Sequence, residues 1–252
     1  MIPRNPRLHT TQWTAVVLAA EGSERAITQL YQSYWYPLYA YTRRRGYSHH
    51  DAEDLAQKFF VNLLDRNDFK KLDRTKSHVR GFLFHALKNF LATEWRHGRR
   101  AKRQGAYPHV SIDLDDSEYR FANEPSMATA SDVERYDWNW AVAVLEAAQR
   151  RLKSRYASSP EKAQRFEALQ EFITDYSREI PRENLAEELG MERGALRVAI
   201  HRLRDAHTAA LREEVIQTLM DPTEEEIDTE VRYLVRAMAK GCEAEREERV
   251  GD

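Results

Sequence analysis

Turn-forming residues are scarce in this chain: nine Gly and eight Pro among 252 residues, where an average chain of that length carries about 30. Sandwiches and barrels need a turn signal roughly every 8–12 residues, so helices with short connections are the economical fold. The apolar residues agree. Leu55, Phe59, Val61 and Leu63 mark one face, and Phe82, Phe84, Leu87, Phe90, Leu91 and Trp95 dominate the next segment. Val133, Tyr136, Trp140, Val144, Ala148 and Leu152 recur at three- and four-residue steps, the period of a helix packed on one side. The spacing predicts helices over about 24–45, 49–65 and 78–101, then 132–155, 160–175, 182–189 and 192–217. A last amphipathic segment runs from about Thr223 to Lys240. Pro37 falls inside the first pattern, where it should kink or divide the helix.

Residues 104–131 hold Gly105, Pro108 and Pro125 and lose the helical period, so they read as a flexible acidic linker. The expected fold class is all-α: two small helical domains, at 24–103 and 132–217, with an N-terminal segment at 1–23 and an acidic C-terminal extension at 218–252. The lone Cys242 excludes an internal disulfide framework and a multi-thiolate zinc site, which suits a reducing cytoplasm. No apolar run approaches the ~18 residues of a membrane span. The stretch from Trp13 to Ala20 reads as part of a first helix rather than an export signal.

Net charge is only −2, but it is strongly segregated. Lys70–Arg103 holds eleven Lys or Arg against two acids, Ser111–Asp137 holds eight acids against two bases, and Glu213–Val231 holds eight acids and no base. Blocks of this kind mark interaction surfaces or tails. In the basic block, charges interleave with Phe82, Phe84, Phe90 and Trp95, a combination suited to phosphates and unstacked bases. Helical spacing assigns most of those aromatics to the core and leaves Trp95 and Phe82 for base contact. Arg96, Arg99, Arg100, Lys102 and Arg103 read as phosphate-facing.

Residues 182–204 carry the sharpest local signal. A short helix bearing Leu185, Ala186 and Leu189 ends at Gly190, and a second helix follows with Leu196, Ile200, Leu203 and Leu211 as its apolar face. Gly190 suits the left-handed residue of a tight turn. At about 100° per residue, Arg193, Arg197, His201 and Arg204 gather on an adjoining face. Two helices joined in this way form a helix-turn-helix that enters the major groove; a helical hairpin with a solvated basic face is the plainer alternative. Glu192 holds the N-cap position, where Ser or Thr caps better.

Asp51, Glu53 and Asp54 open another helix, either complementing its dipole or forming an acidic docking face for a basic protein. His49 and His50 beside Ser48 read as a capped, solvated turn, so neither a metal nor another cofactor is expected. No HExxH, Walker, GxGxxG or GxSxG pattern occurs. The expectation is a protein that is not an enzyme and has no small-molecule substrate and no membrane attachment.

Asp51-Ala-Glu-Asp-Leu-Ala-Gln-Lys-Phe-Phe60 resembles the DAEDLxQxxF signature of region 2 in bacterial extracytoplasmic-function sigma factors. Arg80-Gly-Phe-Leu-Phe-His-Ala-Leu-Lys-Asn-Phe90 resembles the stretch that follows it, and Leu185–Gly190 with Val198–Arg204 resembles the region 4 helix-turn-helix. The resemblance implies a transcription initiation factor whose partners are core RNA polymerase and promoter DNA, with room for an anti-sigma or other regulatory protein. By position it places Asp51, Glu53, Asp54 and Gln57 on the polymerase-docking helix, and the loop 65–77 against the flipped −10 base. Lys70, Lys71, Arg74, Lys76, Arg80, Asn89, Arg96, Arg99 and Arg100 would face −10 DNA. Arg193, Arg197, Val198, His201 and Arg204 would face the −35 groove. The linker at 113–118 would lie near the RNA exit path. The tail is longer than the minimal family pattern; its acidic amphipathic run (Glu224, Glu225, Glu226, Ile227, Val231, Leu234, Val235, Met238) is expected to pack on region 4 and cover its basic face until a partner displaces it. A free-standing helix-turn-helix regulator is the alternative function.

Overall fold

A computed structural model describes residues 24–65, 79–98, 115–125, 127–173, 184–219 and 222–251. Its helices are α1 (Glu24–Arg44), α2 (His49–Asp65), α3 (Val79–Gly98), α4 (Asp115–Ala122), α5 (Asp132–Tyr156), α6 (Pro160–Leu169), α7 (Asn184–Glu188), α8 (Arg193–Thr218) and α9 (Glu224–Gly251), with one 3-10 turn at Gln170–Phe172. Among the described residues there is no strand, and none of the helices is long and apolar enough to cross a membrane. The all-helical expectation therefore holds.

The chain divides into two compact units, one of residues 1–143 with 215–252, the other of residues 144–214. The division falls inside α5 and α8. The sequence reading instead separated the units at residues 104–131 and left the tail outside both.

In the first unit α1 is the central element. Tyr34, Leu38, Tyr39 and Ala40 are fully buried, and Tyr31, Trp35 and Tyr41 nearly so. A helix buried on almost every side belongs to a core rather than a surface. Burial also accounts for Pro37, which α1 carries without being divided. The roughly 3 kcal/mol that an interior proline costs is small beside several buried aromatics at about 1.5–3 kcal/mol each. The rings interlock: Trp35 stacks on Tyr39 at 4.9 Å, and Tyr31 meets Phe60 of α2 at 5.1 Å. Tyr41 meets Phe84 of α3 edge-on at 5.1 Å, and Phe84 meets Tyr136 of α5 at 5.0 Å. Gly46, at φ +88°, turns the chain from α1 into α2, and Ser48 caps α2 by accepting from the Asp51 amide at 3.1 Å.

Part of the expected flexible linker is ordered. α4 is fastened to the end of α1, where Arg43 donates from Nη2 to Glu118 at 2.5 Å and from Nε at 3.1 Å. Beyond α4, Glu124 pairs with Arg44 and accepts from Tyr36 at 2.5 Å, and Asp132 pairs with Arg45 at 2.5 Å. Three consecutive bases thus take three acids from 118–132. Glu118 is consequently an α1 ligand rather than a free charge in an extended tether. Its carboxyl is held below the usual range, first by the Tyr39 hydroxyl and then by Arg43.

The tail forms α9, which Thr223 starts through a reciprocal capping box with Glu226 (2.8 and 3.3 Å). Its inward residues, Ile227, Glu230, Leu234, Ala237 and Gly241, follow steps of three and four. Val235, expected on the apolar face, is 57% exposed. The partners of α9 are Arg80 of α3, through Glu230, and the first three turns of α5, through Lys240–Glu134, Tyr233–Asp137 and the Trp140 ring near Tyr233. Lys240 and the Ser131 cap pull the Glu134 carboxyl down to about 2. The tail thus completes the first unit. These are the partners of α9 within the first unit.

The second unit is built around Leu152, Phe166, Leu169, Phe172, Ile173, Ala186, Leu196, Ile200 and Leu203. Ser159 caps α6 with Pro160 at its first position, a favourable pair of starting residues. Arg151–Glu214 at 2.5 Å and Arg155–Glu213 at 2.7 Å tie α5 to α8 within this unit.

Gly241 provides a test of the α9 packing. A Cβ built there would land on the Trp138 indole. Exposed helical Gly→Ala gains about 0.5–1 kcal/mol, whereas overpacking costs about 1–3 kcal/mol. Gly241→Ala should therefore lower stability by about 1–2 kcal/mol in denaturant unfolding. In a Trp138→Ala background the same change should become neutral or stabilising.

Candidate nucleic-acid interface

The segment from α7 to α8 has the expected local geometry of two helices joined by a tight turn. Gly190 takes φ +59°, the Met191 amide donates to Ala186 O at 2.8 Å, and the Gly190 amide donates to Glu187 O at 3.0 Å. This is the paired bonding of a Schellman turn. Glu192 is the cap residue of α8, and its carbonyl accepts from the Leu196 amide at 3.0 Å. Leu196, Ile200, Leu203 and Leu211 are all buried, as the periodicity required. Arg193, Arg197 and His201 are exposed, and Val198 is 48% exposed. His201 Nδ1 lies 2.9 Å from Asp205 Oδ2, which fixes the ring near the outward face. Arg204 has a different task. It is half-buried and donates from Nε to Phe172 O at 2.8 Å, holding α8 to the 3-10 turn.

On α3 the exposed residues are His85, Lys88, Asn89, Ala92, Trp95 and Arg96, mostly at steps of three and four along one side. Trp95 is 59% exposed. Arg96 donates from Nε to Ala92 O at 3.0 Å, which directs the guanidinium along the helix end. Phe84 is buried, and Phe82 and Phe90 are half-buried. Lys88 and Asn89 share the outward side, and Lys88 belongs with the candidate phosphate contacts although the family pattern did not single it out.

Arg80 departs from expectation. It is 9% exposed, and its Nη1 donates to Glu230 at 2.9 Å while Nε lies 3.3 Å from Asp137. The guanidinium sits 4.1 Å over the Tyr233 ring and 4.8 Å over Trp140. It is therefore a core residue joining α3, α5 and α9, and it is not presented to DNA. No local pattern marks this role, because Glu230 stands 150 positions away. Lys70, Lys71, Arg74 and Lys76, the loop 66–77, and Arg99, Arg100, Lys102 and Arg103 lie outside the described residues.

The first turns of α2 divide the expected docking residues. Asp51 and Asp54 are exposed, Gln57 is half-buried and Glu53 is 8% exposed. Glu53 points toward His49 and His50 rather than outward, with its oxygens 3.4 and 3.8 Å from the rings. Lys58 pairs with Glu94 and ties α2 to α3. Asp51 and Asp54 alone form an outward acidic pair.

Removing Arg80 tests its reassignment. Arg80→Met should cost about 3–5 kcal/mol, the penalty for stranding buried partners. Replacing Arg80, Asp137 and Glu230 together by Met, Leu and Leu should recover most of that loss in urea unfolding. A single variant of unchanged stability but lowered DNA affinity would return Arg80 to the DNA face. No protein-family model, no curated protein and no solved structure matches this chain.

Proposed function

We propose that the chain is a sigma-type initiation factor that binds core RNA polymerase through α2 and directs it to promoters, with the α3 side engaging melted −10 DNA and α8 reading the −35 duplex. The observation that carries this reading is the Schellman-turned α7–α8 pair presenting Arg193, Arg197, Val198 and His201 beyond a buried Leu196–Ile200–Leu203 face. A helix so placed offers base-reading side chains to a major groove while its other side is anchored. Two further features support it. The exposed side of α3 combines Lys88, Asn89 and Arg96 with the exposed indole of Trp95, the pairing of cation and aromatic that single strands favour. The acids Asp51 and Asp54 are solvent-facing at the start of α2, where a basic partner surface meets them directly.

Chemistry of its own has no part in this role. Specificity arises from base contacts and affinity from phosphates, and strand opening is shared with the polymerase. A free-standing regulator would read duplex DNA through α8 alone and would have no use for the α2 acids or the α3 face.

The test is capture of core polymerase by the tagged full chain, followed by run-off transcription from a promoter set. Retention of polymerase and promoter-selective transcripts are expected. Tight duplex binding without polymerase capture would establish the free-standing regulator instead. Asp54→Lys should reduce polymerase capture at unchanged helix content and leave the binding of duplex oligonucleotides unchanged. Arg197→Ala should cost about 1–3 kcal/mol at sites where it pairs bidentately with guanine, and the loss should vary with −35 sequence. A loss uniform across sequences would make Arg197 a phosphate contact.

A further inference from the structure

The first turn of α2 gathers ligand atoms that the promoter reading does not use. Suitable atoms of His49, His50 and Glu53 all lie within 4.8 Å of one another. His49 Nε2 is 3.4 Å from Glu53 Oε1, and His50 Nδ1 is 3.8 Å from Glu53 Oε2. Donor atoms bound to one tetrahedral ion at about 2.0–2.1 Å stand about 3.3–3.4 Å apart. The His49–Glu53 pair already has that spacing, and the exposed His50 ring closes the remainder by rotating.

Glu53 adds a second, independent observation. The residue is 8% exposed, and its buried Oε1 has no hydrogen-bond donor. A buried carboxylate oxygen without a donor is costly. The facing imidazole does not relieve it in the neutral form, because the His49 ring is oriented from its other side. Tyr39 Oη donates to Glu118 Oε2 at 2.6 Å, so the 2.8 Å contact between Tyr39 Oη and His49 Nδ1 is one the imidazole donates. Glu118 is in turn clamped by Arg43. With its proton on Nδ1, neutral His49 turns the Nε2 lone pair toward the donor-less Glu53 oxygen. A cation between them would satisfy both lone pairs.

A ligating histidine that passes its other N–H to a carboxylate-bound partner is the usual outer arrangement of a metal site, and Tyr39–Glu118–Arg43 supplies it here. We propose that His49 Nε2, His50 Nδ1 and the Glu53 carboxylate bind one divalent first-row transition ion of the zinc class. Two imidazoles and one carboxylate suit zinc, cobalt or nickel rather than magnesium or calcium. The 90% exposure of the His50 side chain gives the ion a route in and leaves a fourth position for water. The ion would join α2 to α1 and α4 through the His49–Tyr39–Glu118 chain. The proposal is independent of promoter recognition and stands or falls without it.

The experiment uses the full chain, stripped with chelator, checked for helix content by circular dichroism, and titrated with cobalt(II) and zinc(II). One equivalent of cobalt should bind with the intense visible bands of a four-coordinate site, and one equivalent of zinc should displace it. His50→Gln, at a solvent-exposed position, should abolish those bands with helix content unchanged. Glu118→Gln should weaken zinc binding about 10–100-fold, the range for losing an outer partner of a ligating histidine. Non-saturating binding, weak six-coordinate bands, or zinc affinity indifferent to His50→Gln would each overturn the proposal.

Discussion

A single guanidinium holds three distant stretches of the first unit in register. Arg80 begins α3, Asp137 lies one turn into α5, and Glu230 lies in the second turn of α9, yet all three meet in the interior at 2.9–3.3 Å. Such a group is a poor source of net stability, since desolvating the ions offsets much of their attraction. Its effect is selective. Any shift of α9 by one residue would turn Glu230 away and leave Arg80 with one acid instead of two. The Trp140 and Tyr233 rings, 4.8 and 4.1 Å from the guanidinium, narrow the choice further, because each cation–π contact holds over a short range of positions. Burial pushes the Asp137 carboxyl upward, while the Tyr233 hydroxyl and Arg80 pull it back. The Tyr34 and Tyr136 hydroxyls nearby are driven far above their ordinary range by the same burial, so they enter the interior as neutral groups.

The arrangement changes what the near-zero net charge means. A net charge of −2 beside a strongly basic block means that the bases are balanced by acids elsewhere in the chain. The acids of 118–137 have other partners: Glu118, Glu124 and Asp132 take Arg43, Arg44 and Arg45, and Asp137 takes Arg80. From the tail, Glu230 also takes Arg80, and Lys240 takes Glu134. These pairs fasten α4, α5 and α9 to the aromatic core. The outward side of α3 keeps Lys88, Asn89, Trp95 and Arg96 accessible. Among the described residues, the acids of 118–137 are structural, and part of the basic block is on the surface.

Local signals were read well from the sequence. The apolar steps of α8 locate its buried face to the residue, and Gly190 marks the turn before it. Long-range pairing was not legible. Arg80 and Arg96 look alike in a charge count, and only a partner 150 residues away distinguishes the buried one from the exposed one. Helical period says which residues share a side, not which sides meet. Nor does the pattern alone say whether a proline interrupts its helix: Pro37 was expected to kink or divide α1, which runs unbroken from Glu24 to Arg44.

The start of α2 shows the same limit at the scale of one turn. At about 100° per residue, His49, Glu53 and Gln57 fall within about 80° of one another, while Asp51 stands about 160° and Asp54 about 100° round the helix from Glu53. Read as a run of acids, the segment looks like one docking face. Read as a helix, it is two: an outward pair, Asp51 and Asp54, and an inward Glu53 that shares its turn with two imidazoles. Ser48 belongs to the outward side, where its hydroxyl donates to the Asp51 carboxylate at 2.7 Å. Tyr39 and Glu118 belong to the inward side, through His49. Protein docking and ion binding therefore draw on different residues of one turn, and a change at Glu53 reports on the interior while a change at Asp54 reports on the surface.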